Sequence, residues 1–173
     1  MKNKKNIFLV GPLGVGKTTI GRFLAKKARL VFYDSDQEIE KLCGVSVTTI
    51  FEYEGESGFR AREAMAIAKL TQLDNIVLSS GGGSILREEN RLALSSRGTV
   101  IYLRASIATQ LSRTNQRKGV RPLLNTENPH EKIIELNKIR VPLYEEIAES
   151  TYDTDKDAPI DIVEKIFKDL NLR

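Results

Sequence analysis

The sequence predicts an α/β protein in which one parallel sheet carries helices on both faces. Three observations lead to it. Short apolar runs alternate with stretches of helical spacing along the whole chain. No internal repeat or low-complexity segment interrupts that alternation. The glycine- and aspartate-rich loops at 11–18, 34–36 and 81–83 each follow an apolar run, which would line them along the carboxyl edge of one sheet.

The elements follow in order. "NIFLV" is a buried strand, and 17–29 a helix with Ile20, Phe23, Leu24 and Ala28 directed inward. "LVFYD" is a second strand. Residues 36–43 form a short helix with Ile39 and Leu42 inward and Gly44 as its stop. Helices at 46–53 and 57–72 flank the loop "EGES". "NIVLSS" is a strand running into "GGGS", followed by a helix over 87–97 that Gly98 ends. "TVIYL" is the next strand, and a helix begins at 106. "NQRKGVRPLLNTENP" lacks an apolar period and is expected to be a mobile loop. A helix over 129–147 should be interrupted or bent near Pro142. "STYDT" is a weak strand. The last helix, 159–170, directs Ile162, Val163, Ile166, Phe167 and Leu170 inward.

Composition narrows the function. With 173 residues the chain fits one domain with room for an inserted subdomain, and it can bury a core without disulfides. Its single cysteine, Cys43, cannot form an internal disulfide. Its single histidine, His130, leaves no Ser-His-Asp triad and no histidine-based metal site. The apolar run after the basic "MKNKKN" is only "IFLV", too short for a signal peptide or a membrane span, so a cytoplasmic protein is expected. The net charge of +4 comes without one long basic run or an aromatic-basic stripe suited to base stacking. It fits a site that concentrates anionic substrates, or an ordinary mixed surface.

"GPLGVGKTTIGR" carries the strongest motif. Gly11, Gly16, Lys17 and Thr18 match G-x-x-x-x-G-K-[ST] between a strand and an amphipathic helix. Glycines let backbone N–H groups approach phosphate oxygens closely, and the following helix aims its positive end at the same place. Lys17 would neutralise the β- and γ-phosphates, and Thr18 would offer its hydroxyl to Mg²⁺. Such a cradle does not separate a kinase from a switch protein or an ATPase.

The acceptor must be read elsewhere. Asp34 and Asp36 end the second strand; one suits a metal shell through water, the other a substrate hydroxyl. Asp36 or Ser35 would equally well cap the next helix. Arg60, Arg121 and Arg140 offer guanidinium forks for a carboxylate or phosphate, or ordinary solvated surface groups. Three consecutive glycines after a strand suggest close approach of a ligand to the backbone.

Taken together, "GPLGVGKTTIGR", "FYDSDQEIE", "IFEYEGESGFRARE", "SSGGGS", "RPLL" and "RVPLYEEIA" resemble the shikimate kinases in order and spacing, to about residue 155. The resemblance implies a P-loop kinase three-layer sandwich like that of nucleoside monophosphate kinases, with a five-stranded parallel sheet in the order 2-3-1-4-5. It implies transfer of the γ-phosphoryl of ATP to the 3-hydroxyl of shikimate, towards chorismate and aromatic amino acids. By position, Gly14, Val15, Gly16, Lys17, Thr18, Thr19, Arg121 and Asp157 match ATP-binding positions. Asp36, Arg60, Gly81, Gly82, Gly83 and Arg140 match shikimate-binding positions. Lys17, Asp36 and Arg121 match the catalytic groups. Ser79 and Ser80 stand where many cradle proteins place an aspartate. The resemblance then implies an Mg²⁺ held by Thr18, the phosphates and water, with Asp34 reaching it through water. The resemblance further implies a single domain over 1–173, a shikimate-binding subdomain at about 34–61, and a mobile lid at about 112–125. The expected partners are ATP and shikimate, with a monomeric protein that binds neither nucleic acid nor membrane.

Overall fold

A computed structural model describes residues 5–116 and 122–172. Five strands, β1 (Ile7–Val10), β2 (Val31–Asp34), β3 (Ile76–Ser79), β4 (Thr99–Arg104) and β5 (Ser150–Asp153), form one parallel sheet in the order β2-β3-β1-β4-β5. The helices are α1 (Lys17–Ala28), α2 (Ser35–Cys43), α3 (Val47–Leu70), α4 (Glu88–Arg97), α5 (Ile107–Asn115), α6 (Pro129–Ile147) and α7 (Pro159–Asp169).

Alternate residues along each strand serve opposite faces. Ile7 and Leu9 pack with Val77, Ile101 and Leu103 against Ile20 and Leu24 of α1 and Val163 and Ile166 of α7. Phe8 and Val10 pack with Leu78, Val100 and Tyr102 against Ile67 of α3, Leu94 of α4 and Tyr144 of α6. Burial on both sides explains why the central strands read as unbroken apolar runs. A third, smaller core of Ile39, Ile50, Phe59 and Ala66 joins α2 to α3 beyond the sheet edge.

Several local expectations change. Phe23 and Leu42 are exposed rather than inward, at 44% and 69%. On α1 the inward stripe passes through Gly21, whose missing side chain leaves room for the Phe32 ring, and Phe23 falls beside the stripe. On α2, Ile39 fills the small core and Cys43 packs against it one turn on, which turns Leu42 away. Phe167 is only half-buried and takes Lys27 Nζ over its ring at 4.8 Å. The helix α6 runs through Pro142 without interruption. Proline there removes the bond to the Lys138 carbonyl, but both residues are exposed and water can replace it. The break expected at "EGES" is a kink in α3 at Gly55, whose φ of 70° is a backbone conformation that glycine adopts readily.

Candidate active site

The cradle forms at the carboxyl end of β1. Gly11, Gly14 and Gly16 all have positive φ, at 147°, 81° and 94°. At Gly11 a Cβ would stand 2.2 Å from the Leu103 carbonyl oxygen, so both φ and space require glycine. Lys17 is buried and its Nζ donates to the carbonyls of Gly11 and Pro12 at 2.7 and 2.9 Å. The ammonium thus lies folded over its own loop, at the N-terminus of α1, where an anion is favoured. Val15 is buried beneath the loop, and Thr19 is exposed.

Thr18 Oγ1 donates to Asp34 Oδ2 at 2.8 Å. Asp34 also caps α2, its Oδ1 accepting from the N–H groups of Asp36 and Gln37 at 3.1 and 3.2 Å. The cap is therefore Asp34, and Asp36 and Ser35 are left for other work. Among the described residues no group of three His, Cys, Asp or Glu side chains could hold a metal. One hydroxyl beside one carboxylate does fit Mg²⁺, which keeps several waters and binds through few protein oxygens plus substrate phosphates.

Next to the cradle a pocket opens between the sheet edge and the small core. Val47, Phe51 and Phe59 form an apolar wall, and Asp36, Arg60, Glu63, Arg140 and Gly81–Gly83 form its polar side. Gly82 bridges this pocket to the cradle: a Cβ on it would lie 3.5 Å from Gly11 O, 3.6 Å from Leu13 N and 3.6 Å from Arg140 Nη1. The other two glycines make room for the pocket's own side chains. A Cβ at Gly81 would stand 2.8 Å from Glu63 Oε2 and 3.0 Å from Asp36 Oδ1. At Gly83 it would stand 2.3 Å from Arg60 Nη2.

The electrostatics are those of an anion site beside a base. Arg60 is buried, bonded through Nη1 to Glu63 at 2.7 Å and through Nη2 to Glu56 at 3.3 Å. Arg140 is buried too, and among the described residues no carboxylate lies within ion-pair distance of it. Burial lowers the Arg140 pKa, and the nearby Arg60 charge acts in the same direction. A second anion would relieve that repulsion. Asp36 is half-buried as a residue, but its Oδ1 is out of water and has no hydrogen-bond partner among the described residues. Its pKa is raised to about 7, first by desolvation and then by the Asp34 and Glu63 charges, against the pull of Lys17 and Arg60. Desolvation also raises Glu63, whose Oε2 likewise lacks a partner.

Most of the expected residues therefore converge. Lys17, Thr18 and Asp34 meet at the cradle, and Asp36, Arg60, Gly81–Gly83 and Arg140 meet in the pocket. Asp157 does not join them; it pairs with Lys165 of α7. Arg121 lies outside the described residues. Of the expected lid, residues up to Asn115 belong to α5, and Pro122–Leu124 form a single 3-10 turn.

Three contributors were missed. Glu63 sits at i+3 from Arg60, a spacing that brings helix side chains together and was the available signal. Arg113 of α5 bonds the Gly14 carbonyl at 3.1 Å and the Thr154 carbonyl at 2.8 Å, tying the cradle to the end of the sheet. Ser35 Oγ accepts the Gly81 N–H at 2.9 Å. The last two contacts join residues far apart in the chain and leave no local pattern.

A P-loop at the carboxyl edge of a 2-3-1-4-5 sheet, beside a pocket with paired arginines and a carboxylate, defines a P-loop kinase of small molecules. The comparisons agree. The family model "Shikimate kinase" matches residues 13–171. A shikimate kinase of Methylococcus capsulatus is 51% identical over 166 residues, covering 96% of this chain and 92% of that one. One from Actinobacillus pleuropneumoniae is 54% identical over 156 residues, covering 90% of each. A structure titled shikimate kinase from Acinetobacter baumannii in complex with shikimate superposes with a TM-score of 0.95. It is 46% identical and covers 98% of this chain and 94% of that one. The Aquifex aeolicus shikimate kinase gives a TM-score of 0.80 at 31% identity, covering 96% of each chain. The chain belongs to the shikimate kinase family.

Proposed function

We propose that this protein transfers the γ-phosphoryl group of ATP to the 3-hydroxyl of shikimate, giving shikimate 3-phosphate and ADP on the route to chorismate and aromatic amino acids. The observation that carries the reading is the burial of Arg60 and Arg140 with Asp36 in one pocket beside the phosphate cradle. Shikimate is a small hydroxyl-rich carboxylate, and this pocket offers guanidinium groups and a base together. The A. baumannii relative, 46% identical, is described as a complex with shikimate.

In this reading the two arginines and the glycine turn take the shikimate carboxylate and orient the ring, with the hydroxyls towards Asp36. Asp36 accepts the 3-hydroxyl proton as the new O–P bond forms and the bond to the departing ADP oxygen breaks. A pKa near 7 matches a base at neutral pH. Lys17 leaves the Gly11 and Pro12 carbonyls for the phosphate oxygens, and Arg121 adds charge to the transferring group. Thr18 and Asp34 would hold Mg²⁺, which neutralises charge on the β- and γ-phosphates when bound. The segment 34–61 serves as the shikimate-binding subdomain of a single domain over 1–173. Its own small core between α2 and α3 supports that division. Residues around 112–125 close as a lid and keep water from competing as acceptor. Asp157 stands on the adenine side. No helix among the described residues is long and apolar enough to cross a membrane. The protein acts as a cytoplasmic monomer, without nucleic acid or membrane partners.

A coupled assay of ADP release tests the reading. ADP formation should depend on both shikimate and Mg²⁺, and its absence at millimolar shikimate overturns the assignment.

A further inference from the structure

Gly81 to Ser84 form a β-turn closed by the Ser84 N–H donating to the Gly81 carbonyl at 3.0 Å. Gly83, its third residue, has φ −95° and ψ 2°, the values of a type I turn. Glycine at that position also permits a type II turn, reached by flipping the peptide between Gly82 and Gly83. The flip reverses both the Gly82 carbonyl and the Gly83 N–H, because a trans peptide holds them on opposite sides.

One side chain opposes this flip. The Tyr144 hydroxyl donates to the Gly82 carbonyl. Tyr144 is fully buried on α6, one turn beyond Arg140, and its ring stacks on Tyr102 of β4 with centroids 5.2 Å apart. Its hydroxyl thus comes from a fixed point in the core. The Gly82 carbonyl points into that core, and the Gly83 N–H must point away from it. The pocket is lined by Gly81, Gly82 and Gly83. The Gly81 N–H is already taken by Ser35 Oγ. Among the described residues, no acceptor is found for the Gly82 or Gly83 N–H.

We infer that Tyr144 is a positioning residue: its hydroxyl locks the glycine turn in the type I state and so holds the Gly83 N–H as a donor for the carboxylate of the phosphoryl acceptor. The inference rests on the proposed use of this pocket for shikimate. It adds a role for a residue that touches no substrate. The same turn without the latch would divide its time between two peptide orientations, one of which withdraws the donor.

The test is Tyr144→Phe, which keeps the ring stack and removes the hydroxyl with its bonds to the Gly82 carbonyl and to Arg140, so the Gly83 amide signal below is what separates the latch from a displaced Arg140. KM for shikimate should rise about three- to tenfold, with kcat and the KM for ATP changed less than about twofold. A shikimate analogue with a hydroxymethyl group in place of the carboxylate should be used equally well, or equally poorly, by both proteins. Equal losses on both substrates, or an unchanged KM for shikimate, overturn the inference. The wild-type protein supplies an independent readout. Shikimate added with MgADP should move the Gly83 amide proton downfield, and an unmoved Gly83 signal overturns the inference even if the variant does not fold. Shikimate-dependent ADP release in the wild type with an indifferent Tyr144→Phe rejects only the latch. Shikimate that is neither phosphorylated nor able to move the glycine amides rejects the function and the latch together.

Discussion

Thr18 and Asp34 are joined by a 2.8 Å hydrogen bond from the Thr18 hydroxyl to Asp34 Oδ2, while Asp34 Oδ1 caps α2. One carboxylate thereby links the phosphate cradle to the helix that carries Asp36. The two oxygens can be separated by mutation. Asp34→Asn keeps an oxygen for the cap and loses the charge facing Thr18. The Mg²⁺ concentration for half-maximal ADP release should rise about tenfold, with a stability change under about 1 kcal/mol. Asp34→Ala should lose about 1 kcal/mol more through the cap. A Mg²⁺ titration and a melting curve measure both effects. An unchanged Mg²⁺ requirement in the Asn variant removes Asp34 from the metal shell.

Asp36 should trade stability for turnover. Its folded pKa, about 7, lies above the ordinary carboxyl value of 3.8, so the empty folded protein binds a proton that the unfolded chain releases. Its stabilising contribution is full below the unfolded value and is lost as pH rises through about 7. Asp36→Asn removes the buried charge. Relative to wild type it should be more stable at pH 8, by up to about 4 kcal/mol, and this advantage should shrink at pH 5. Turnover should fall roughly 10²- to 10⁴-fold. Melting temperatures without ligand at the two pH values check the sign. A gap that widens towards acid contradicts the burial argument.

Arg60 and Glu63 should be coupled. Arg60→Ala leaves Glu63 buried without its ion pair and should cost about 3–5 kcal/mol. Adding Glu63→Gln should restore much of that stability without restoring shikimate affinity. Arg140→Lys should raise KM for shikimate about tenfold or more, because an ammonium cannot reproduce a guanidinium fork. Denaturation of the single and double variants gives the coupling, and initial rates against each substrate give the rest. A change in ATP KM alone would reassign the arginine pair.

Gly83 and Gly44 make a paired test of why glycines are present. A Cβ on Gly83 would stand 2.3 Å from Arg60 Nη2, whereas one on Gly44 meets nothing within 4 Å. Gly83→Ala should displace the guanidinium and weaken shikimate at least about tenfold, leaving ATP nearly untouched. Gly44→Ala, at a φ of 71°, should cost about 1 kcal/mol in stability with normal kinetics. If Gly83→Ala binds shikimate normally, Arg60 does not need its present place.

Much of the donor half was legible in the sequence because it is local. "GPLGVGKTTIGR" places three left-handed glycines, a lysine and a hydroxyl within one strand-turn-helix unit, and the structure folds them accordingly. The break at "EGES" is legible for the same local reason, though it is a kink at the positive-φ Gly55 within α3 and not a loop between two helices. Phe23 and Leu42 were misplaced because helical spacing gives a face and not its width. What lies opposite decides burial, and Phe32 opposite Gly21 is set by the sheet.

By itself the sequence determined the alternation of strands and helices, the phosphate cradle, and the residue types of the acceptor pocket. These are short-range properties, written in periodicity and in glycine. The tertiary structure alone decided what those residues do to one another. The return of the chain from α3 into β3, paired between β2 and β1, brings Gly81–Gly83 beside Asp36, and α6 delivers Arg140 and Tyr144 to the same turn. Burial then raises Asp36 and Glu63 and sets Arg60 against Arg140. Desolvation and charge coupling depend on distance in space, and distance along the chain does not contain it.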